Sequence, residues 1–382
     1  MFSYRFKSLF IFKRNKKISK SILFLPAFFP ENAGYHWRVK KWAEALQDQG
    51  YKVVISSAIK KDEFYDLLKN NRTQFLITFL KRRYKQVLNA RKFETVIVRR
   101  ELLLFNDYGN LFLEKLLHRI HDNVILDFDD DIAASKNQPK QITSLYAKIM
   151  GEEGNKFNDS LRLYKRFIVA SNYLKEYVLK ENPTINPGDI AVIPTCVDYD
   201  KYEAKKYPES ISELAFGWIG GDHNYFLLDT LLPTLNKLSK SHSFKLIVIG
   251  GEEYVRDTDF KIEFIPWSLD TEVESLYKID VGLMPLNKSQ NSKGKGGFKL
   301  IQYMRLGIVS IASAVTINKE IITDGKDSFL IKNDDEWYSK LESILSNQID
   351  FGQIGNNAHQ KIKTHYSVSS NEQKYFNFIA NL

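Results

Sequence analysis

The chain has 382 residues, with 43% hydrophobic and 26% charged content. That is enough for two globular domains of ordinary size and excludes a disordered or collagen-like chain. The formal net charge of +9 favours a polyanionic partner, such as a membrane surface, a nucleic acid or a phosphorylated substrate. Cys196 is the single cysteine, so no internal disulfide is possible, which fits a reducing cytoplasm. No apolar stretch reaches the roughly 18 residues of a membrane-spanning helix. The run Ser21–Pro30 lacks a small-residue cleavage site after it, so no signal peptide is expected.

Residues 1–20 contain Arg5, Lys7, Lys13, Arg14, Lys16, Lys17 and Lys20 among interleaved aromatics, and no acidic residue. This is either a solvated arm or an interfacial anchor for an anionic membrane surface. Ser21–Phe28 reads as a buried strand and Pro30–Gly34 as a loop. A helix is predicted over His36–Gln49, ended by Gly50, and a second strand over Tyr51–Ser57. A long helix is expected over Tyr65–Lys92, with Phe75, Leu76, Phe79, Leu80, Tyr84, Val87 and Leu88 at three-four spacing and several basic residues between them. It either packs on a sheet with a solvated basic face or touches a membrane.

Glu94–Val98 is a short strand followed by Arg99-Arg100-Glu101, and Leu111–His121 is a helix. The strand Val124–Phe128 ends in Asp127, Asp129, Asp130 and Asp131. Carboxylates there are either turn and cap residues or catalytic groups at a strand's carboxyl end. Phe167–Ala170 and Ile190–Pro194 are further strands, and the polar stretch Asp198–Ser210 is the expected boundary between two halves.

The second half opens with the strand Leu214–Ile219, then Gly220-Gly221-Asp222-His223 and a helix from about Asn224. Strands follow at Phe244–Ile249 and Ile262–Trp267, with a helix at Glu272–Tyr277. An apolar run, Ile279–Leu286, leads into the glycine- and lysine-rich segment Lys293–Gly297, a helix Phe298–Leu306 stopped by Gly307, and a strand Ile308–Ala312. Glycines let a backbone approach a ligand closely, and a helix start offers free N–H groups; Lys295 and Lys299 add charge beside it. The segment is either a surface loop with two solvated lysines or a phosphate-like site suited to a diphosphate, held also by the Gly220 and Gly221 N–H groups. The loop matches neither a Walker loop nor the three-glycine dinucleotide fingerprint. Helices near Asp335–Leu345, Gly355–His365 and Ser367–Leu382 close the chain.

The segment Gly294–Met304, GKGGFKLIQYM, with Gly307 and Val309–Ser313 after it, resembles the donor-binding signature of the glycosyltransferase group one family. These are retaining enzymes of GT-B fold, and the likeness is to a branch with a GKxGFKLIQYM-like segment. Trp267 and Glu272, the Arg-Glu after one strand and the Asp-x-Asp-Asp after the next also resemble that branch. Much of the family carries two glutamates with seven residues between them; here those positions are Gly294 and Gln302. The Arg and Lys that most of the family places after the first strand of the second half are absent too, which moves the diphosphate onto Lys295 and Lys299.

The resemblance implies an α/β protein with two Rossmann-like domains facing across a cleft: a basic arm 1–20, an acceptor-side domain 21–200, a nucleotide-sugar domain 205–365 and a crossover helix 366–382. It implies donor contacts at Gly220, Gly221, Glu272, Lys295, Gly297, Phe298, Lys299 and Gln302. Asp129 and Asp130 are the expected catalytic carboxylates, and Gly34, His36 and Arg38 the acceptor-side residues. The expected activity is sugar transfer from a nucleoside-diphosphate sugar to an acceptor hydroxyl, with no further cofactor, no metal and no nucleic-acid partner. A lipid-linked saccharide at the inner face of the plasma membrane is the expected acceptor, as in surface polysaccharide assembly. Two other readings stay open: a GT-B sugar-nucleotide epimerase, and a non-catalytic polyanion- or partner-binding protein with a degenerate pocket.

Overall fold

Runs of apolar residues too short for helices become strands, the inner ones buried on both faces, the pattern of a parallel sheet covered by helices. In the computed structural model, which describes residues 19–104, 111–133, 156–199, 202–208, 211, 213–287 and 289–380, they form two sheets. The first takes β1 (Ser21–Pro26), β2 (Lys52–Ile55), β3 (Thr95–Arg99), β4 (Val124–Phe128), β5 (Phe167–Val169) and β6 (Ile190–Val192), in the order β2-β1-β3-β4-β5-β6. The second takes β7 (Leu214–Ile219), β8 (Phe244–Gly250), β9 (Lys261–Pro266), β10 (Val281–Met284), β11 (Val309–Ser313) and β12 (Phe329–Ile331), in the order β12-β11-β10-β7-β8-β9. All pairings are parallel.

Alternate residues feed opposite faces. In the first sheet Leu23, Leu25, Val96, Val98 and Leu126 enter one core, while Ile22, Phe24, Ile97 and Ile125 enter the other. The last helix, Val368–Ala380, crosses back onto the first domain and stacks Tyr375 on Trp42, ring centroids 4.1 Å apart and planes 3° apart. Its approach is fixed by the linker, where the Val197 N–H donates to Tyr366 O and the Val368 N–H to Val197 O.

Several local expectations are corrected. The helix expected over Tyr65–Lys92 is two helices, Lys61–Asn70 and Arg72–Asn89, with a final 3-10 turn at Ala90–Lys92. Asn71 breaks the run: its backbone is non-helical and its side chain caps the next helix by accepting from Gln74 N at 3.0 Å. The helix expected over His36–Gln49 begins with a π-helical turn, His36–Lys40, before the α-helix Lys41–Asp48. The second strand is trimmed to Lys52–Ile55, and the penultimate helix starts earlier, at Phe351. The basic arm falls, up to residue 18, outside the described residues.

The strand orders place the ligand-facing loops. In each sheet the chain first winds outward on one side and then returns to the other, and the reversal opens a crevice at the carboxyl ends of the strands flanking it. In the second sheet the flanking strands are β7 and β10, so the loops meeting there are Gly220-Gly221 and the segment leading to Gly297. In the first sheet they are β1 and β3, and β4 lies next to β3.

Candidate active site

The cationic side of the crevice comes from the second domain. Gly297 enters the Phe298–Arg305 helix in the left-handed region, φ 69°, which favours glycine, and a Cβ there would run into Ile321. In the first turn of that helix, Lys299 lays its Nζ 3.8 Å from the centre of the Trp218 indole, a cation–π contact. The bareness of Gly220 makes that possible, since a Cβ there would sit 2.7 Å from Lys299 Nζ and 2.6 Å from the indole. Burial, then the neighbouring Lys295 charge, lowers the Lys299 pKa to about 7, with Asp130 acting the other way. Lys295 Nζ reaches Asn224 Oδ1 at 3.4 Å, and His223 lies against Gly221. Burial and then Lys295 push the His223 pKa down.

The acidic side comes from the first domain. Arg99 of β3 stands opposite Asp127 of β4 in the ladder. Arg38 takes both oxygens of Asp127, Nε to Oδ1 at 3.0 Å and Nη2 to Oδ2 at 2.5 Å, and its Nη1 donates to Ile193 O at 2.8 Å. Arg99 bridges onward: its Nε lies 3.4 Å from Asp127 Oδ1 and its Nη2 2.5 Å from Asp129 Oδ1. Burial alone would raise the Asp129 pKa, but Arg99 and then Arg38 outweigh it and hold it at about 2. Asp130 is pushed the opposite way by burial and by Asp129, against the pull of Lys295 and Arg100.

The two sides touch. The Asp131 N–H donates to Gly294 O at 2.9 Å, and the Gly296 N–H donates to Asp130 Oδ1 at 2.9 Å. Asp131 in turn accepts from Tyr173 OH at 3.4 Å.

At the other end of the Phe298–Arg305 helix the side chains are enclosed. Glu272 and Gln302 are 2% and 4% exposed and hydrogen-bond one another, and the Trp267 indole donates to Glu272 at 2.8 Å. Burial raises the Glu272 pKa, opposed by Trp267, Arg305 and Gln302. Arg305 is fully buried between the rings of Trp37 and Tyr202, at 5.2 and 4.9 Å, and none of its guanidinium nitrogens has a hydrogen-bond partner. Trp37 reaches from the first domain to within 5.7 Å of the Phe298 ring.

The fold therefore gathers Asp129, Asp130, Gly220, Gly221, Lys295, Gly297 and Lys299 in one crevice. Glu272 and Gln302 lie behind it, paired with each other. Phe298 packs on Trp37. Gly34 sits beside Arg99 and has its N–H accepted by the Asn32 side chain at 2.9 Å. His36 has a buried, unpartnered Nδ1, and burial followed by Lys41 and Lys40 lowers its pKa to about 4. Arg38, expected to face an acceptor, is 1% exposed and directed at Asp127, because each of its three nitrogens donates inward, to the two Asp127 oxygens and to Ile193 O. Sequence reasoning missed Trp218, Arg99 as a bridge, Trp37 and Arg305. Of these only Trp218, a tryptophan two residues before the Gly-Gly turn, carried a local signal.

The whole chain has the GT-B fold. It superposes on HepE from Anabaena, solved with UDP and glucose, with a TM-score of 0.67 at 12% identity, over 95% of this chain and 100% of that one. Sucrose-phosphate synthase from Thermosynechococcus elongatus gives 0.68 at 12%, over 95% and 100%, and a glycosyltransferase from Rickettsia africae 0.65 at 16%, over 94% and 97%. Residues 214–347, in the second half of the chain, match the model of the family Glycosyl transferases group 1. No curated protein matches the chain.

Proposed function

We propose that the protein is a retaining glycosyltransferase that moves a sugar from a nucleoside-diphosphate sugar to an acceptor hydroxyl. One observation carries this reading: Lys295 and Lys299 converge with the bare Gly220 backbone at the strand-order reversal of a group 1 domain. That crevice suits a diphosphate. HepE from Anabaena, similar in fold, was solved with UDP-glucose as well.

In the reaction the bond from the sugar's anomeric carbon to the diphosphate oxygen breaks and a bond to the acceptor oxygen forms on the same face. The acceptor proton leaves with the departing phosphate. Lys295, Lys299 and the Gly221 N–H meet the charge that grows on the leaving group, whereas the Gly220 N–H, expected to help, is donated to Ile249 O at 3.0 Å. Asp129, kept ionised by Arg99, and Asp130 orient the sugar and the acceptor hydroxyl, a contribution of positioning rather than of a covalent nucleophile. Glu272 and Gln302 support the nucleoside end.

The acceptor in this reading is a lipid-linked saccharide of surface polysaccharide assembly, met at the inner face of the plasma membrane. Ile77, Leu80 and Tyr84 project from the Arg72–Asn89 helix at 43%, 43% and 40% exposure, and Phe112, 53% exposed, stacks on Tyr84. Exposed Lys81, Lys85, Lys115 and Arg119 stand among them. Apolar side chains flanked by lysines suit an anionic bilayer surface. Among the described residues no helix is long and apolar enough to cross a membrane.

The test is thermal stabilisation by UDP, GDP, ADP, TDP and CMP, followed by transfer assays with the sugar nucleotide of the base that binds. A ligand at a hundred times its Kd should stabilise the protein by about 2.7 kcal/mol. Stabilisation by one of the four nucleoside diphosphates, lost in Lys299→Ala, supports the reading; stabilisation by none of the four, or by CMP alone, sinks it. The anomeric configuration of the product decides the retaining assignment.

A further inference from the structure

Gly294 and Gly296 face the acidic turn of the other domain with no space for a side chain. A Cβ on Gly294 would overlap the Cβ of Asp131, and one on Gly296 would lie 2.7 Å from the Asp129 carbonyl oxygen. The hydrogen bonds alternate with these contacts: Asp131 N–H to Gly294 O, and Gly296 N–H to Asp130 Oδ1, both at 2.9 Å. Thus residues 129–131 of one domain and 294–296 of the other are fitted face to face.

The two partners differ in stiffness. The acidic turn is anchored, because Arg99 holds Asp129, Tyr173 reaches Asp131, and Asp127 just before it is gripped by Arg38. The segment Lys293–Gly297 has glycine at three of its five positions, 294, 296 and 297. A glycine-rich loop on its own samples many conformations and loses more entropy on ordering than other residues would. Lys295 lies between two of these glycines, and Lys299 follows in the helix they introduce.

We propose that Asp130 and Asp131 are positioning residues for the donor: by seating against Gly296 and Gly294 they fix the glycine-rich loop, and with it Lys295 and Lys299, in the geometry that receives a nucleoside diphosphate. The proposal rests on the glycosyltransferase reading. The second domain holds the cations of the diphosphate site, and the first domain supplies the template that sets them.

The test uses the full chain and measures nucleoside-diphosphate affinity by calorimetry, with the ligand-free melting temperature as the check on folding. UDP, GDP, ADP and TDP carry no sugar or acceptor, so a role of Asp130 confined to those groups leaves their affinity unchanged. Gly294→Ala is expected to weaken binding by about tenfold or more, and Gly294→Ala combined with Asp131→Gly to regain most of that loss, the signature of two positions sharing one space. Asp130→Ala is expected to weaken binding, and Asp130→Asn, which keeps an acceptor for the Gly296 N–H, to restore it. Additive effects at positions 294 and 131, or wild-type affinity in both Gly294→Ala and Asp130→Ala, overturn the proposal while leaving the glycosyltransferase reading standing. Should Gly294→Ala not fold, the Asp130 pair decides alone, and equal affinities in Asp130→Ala and wild type overturn it. If the wild-type protein binds none of the four, the glycosyltransferase reading itself falls, and this inference with it.

Discussion

Arg38 and Asp127 form a bidentate ion pair with side chains 0% and 3% exposed. It joins the π-helical turn His36–Lys40 to the carboxyl end of β4 and is the first link of a chain, Arg38–Asp127–Arg99–Asp129, that ends in the crevice. A buried pair contributes little relative to apolar residues that fill the same space, but removing one member strands the other. Arg38→Met should therefore destabilise the protein by about 3–5 kcal/mol, and Arg38→Met with Asp127→Leu by clearly less. Urea denaturation midpoints of the two variants check this; equal losses would contradict it.

Lys299 makes nucleotide affinity depend on pH. Its folded pKa, about 7, lies below the ordinary lysine value of 10.5, so between those pH values the unfolded chain binds more protons than the folded one. Its contribution to stability therefore rises with pH across that window, and below about 7 it is lost. A bound diphosphate reverses the preference by favouring the ammonium, so affinity should fall as pH rises through 7 and binding at pH 8 should take up a proton. Lys299→Met should weaken binding by about 10- to 100-fold, as expected for a lost charge-assisted hydrogen bond, and abolish the proton uptake. Calorimetry in two buffers of different ionisation enthalpy measures the uptake directly.

Arg305 is a guanidinium buried without a hydrogen-bond partner. Leaving such a group unpaired is costly, and an apolar side chain of similar length avoids the desolvation. Arg305→Met should match or exceed wild-type stability, by up to about 4 kcal/mol. A loss greater than about 1 kcal/mol in chemical denaturation would show that its stacking on Trp37 and Tyr202 outweighs the desolvation.

The face built from Ile77, Leu80, Tyr84 and Phe112 offers a separate test. Leu80→Glu with Tyr84→Glu should abolish pelleting with anionic vesicles while changing the melting temperature little, because both side chains are exposed. Binding of the wild type should weaken with added salt, since lysines near an anionic surface are screened within a Debye length. Pelleting by the double variant at wild-type levels would move the membrane contact elsewhere.

Much of the architecture could be read locally. Ser21–Pro26, Val124–Phe128 and Leu214–Ile219 are apolar runs whose length and flanking turns mark parallel strands, and each is buried along its whole length. The expected long basic helix divides at Asn71 although its three-four pattern continues across the break, and only the cap geometry separates two helices from one. The same pattern hides the division of labour along Arg72–Asn89: Phe75, Phe79 and Val87 are buried, whereas Ile77, Leu80 and Tyr84 face outward.

The α/β class, the glycine- and lysine-rich segment and the carboxylate cluster after β4 are legible along the chain, because backbone permissiveness, apolar periodicity and formal charge are properties of neighbours in it. Tertiary structure alone decided what those groups do to one another. Arg38 meets Asp127 across 89 positions, Gly296 meets Asp130 across 166, and Trp218 meets Lys299 only once the strand order brings β7 beside the loop after β10. Whether an aspartate is a turn residue, half of a buried ion pair or the template for a loop depends on desolvation and on which partner arrives, and the packing of two sheets sets both.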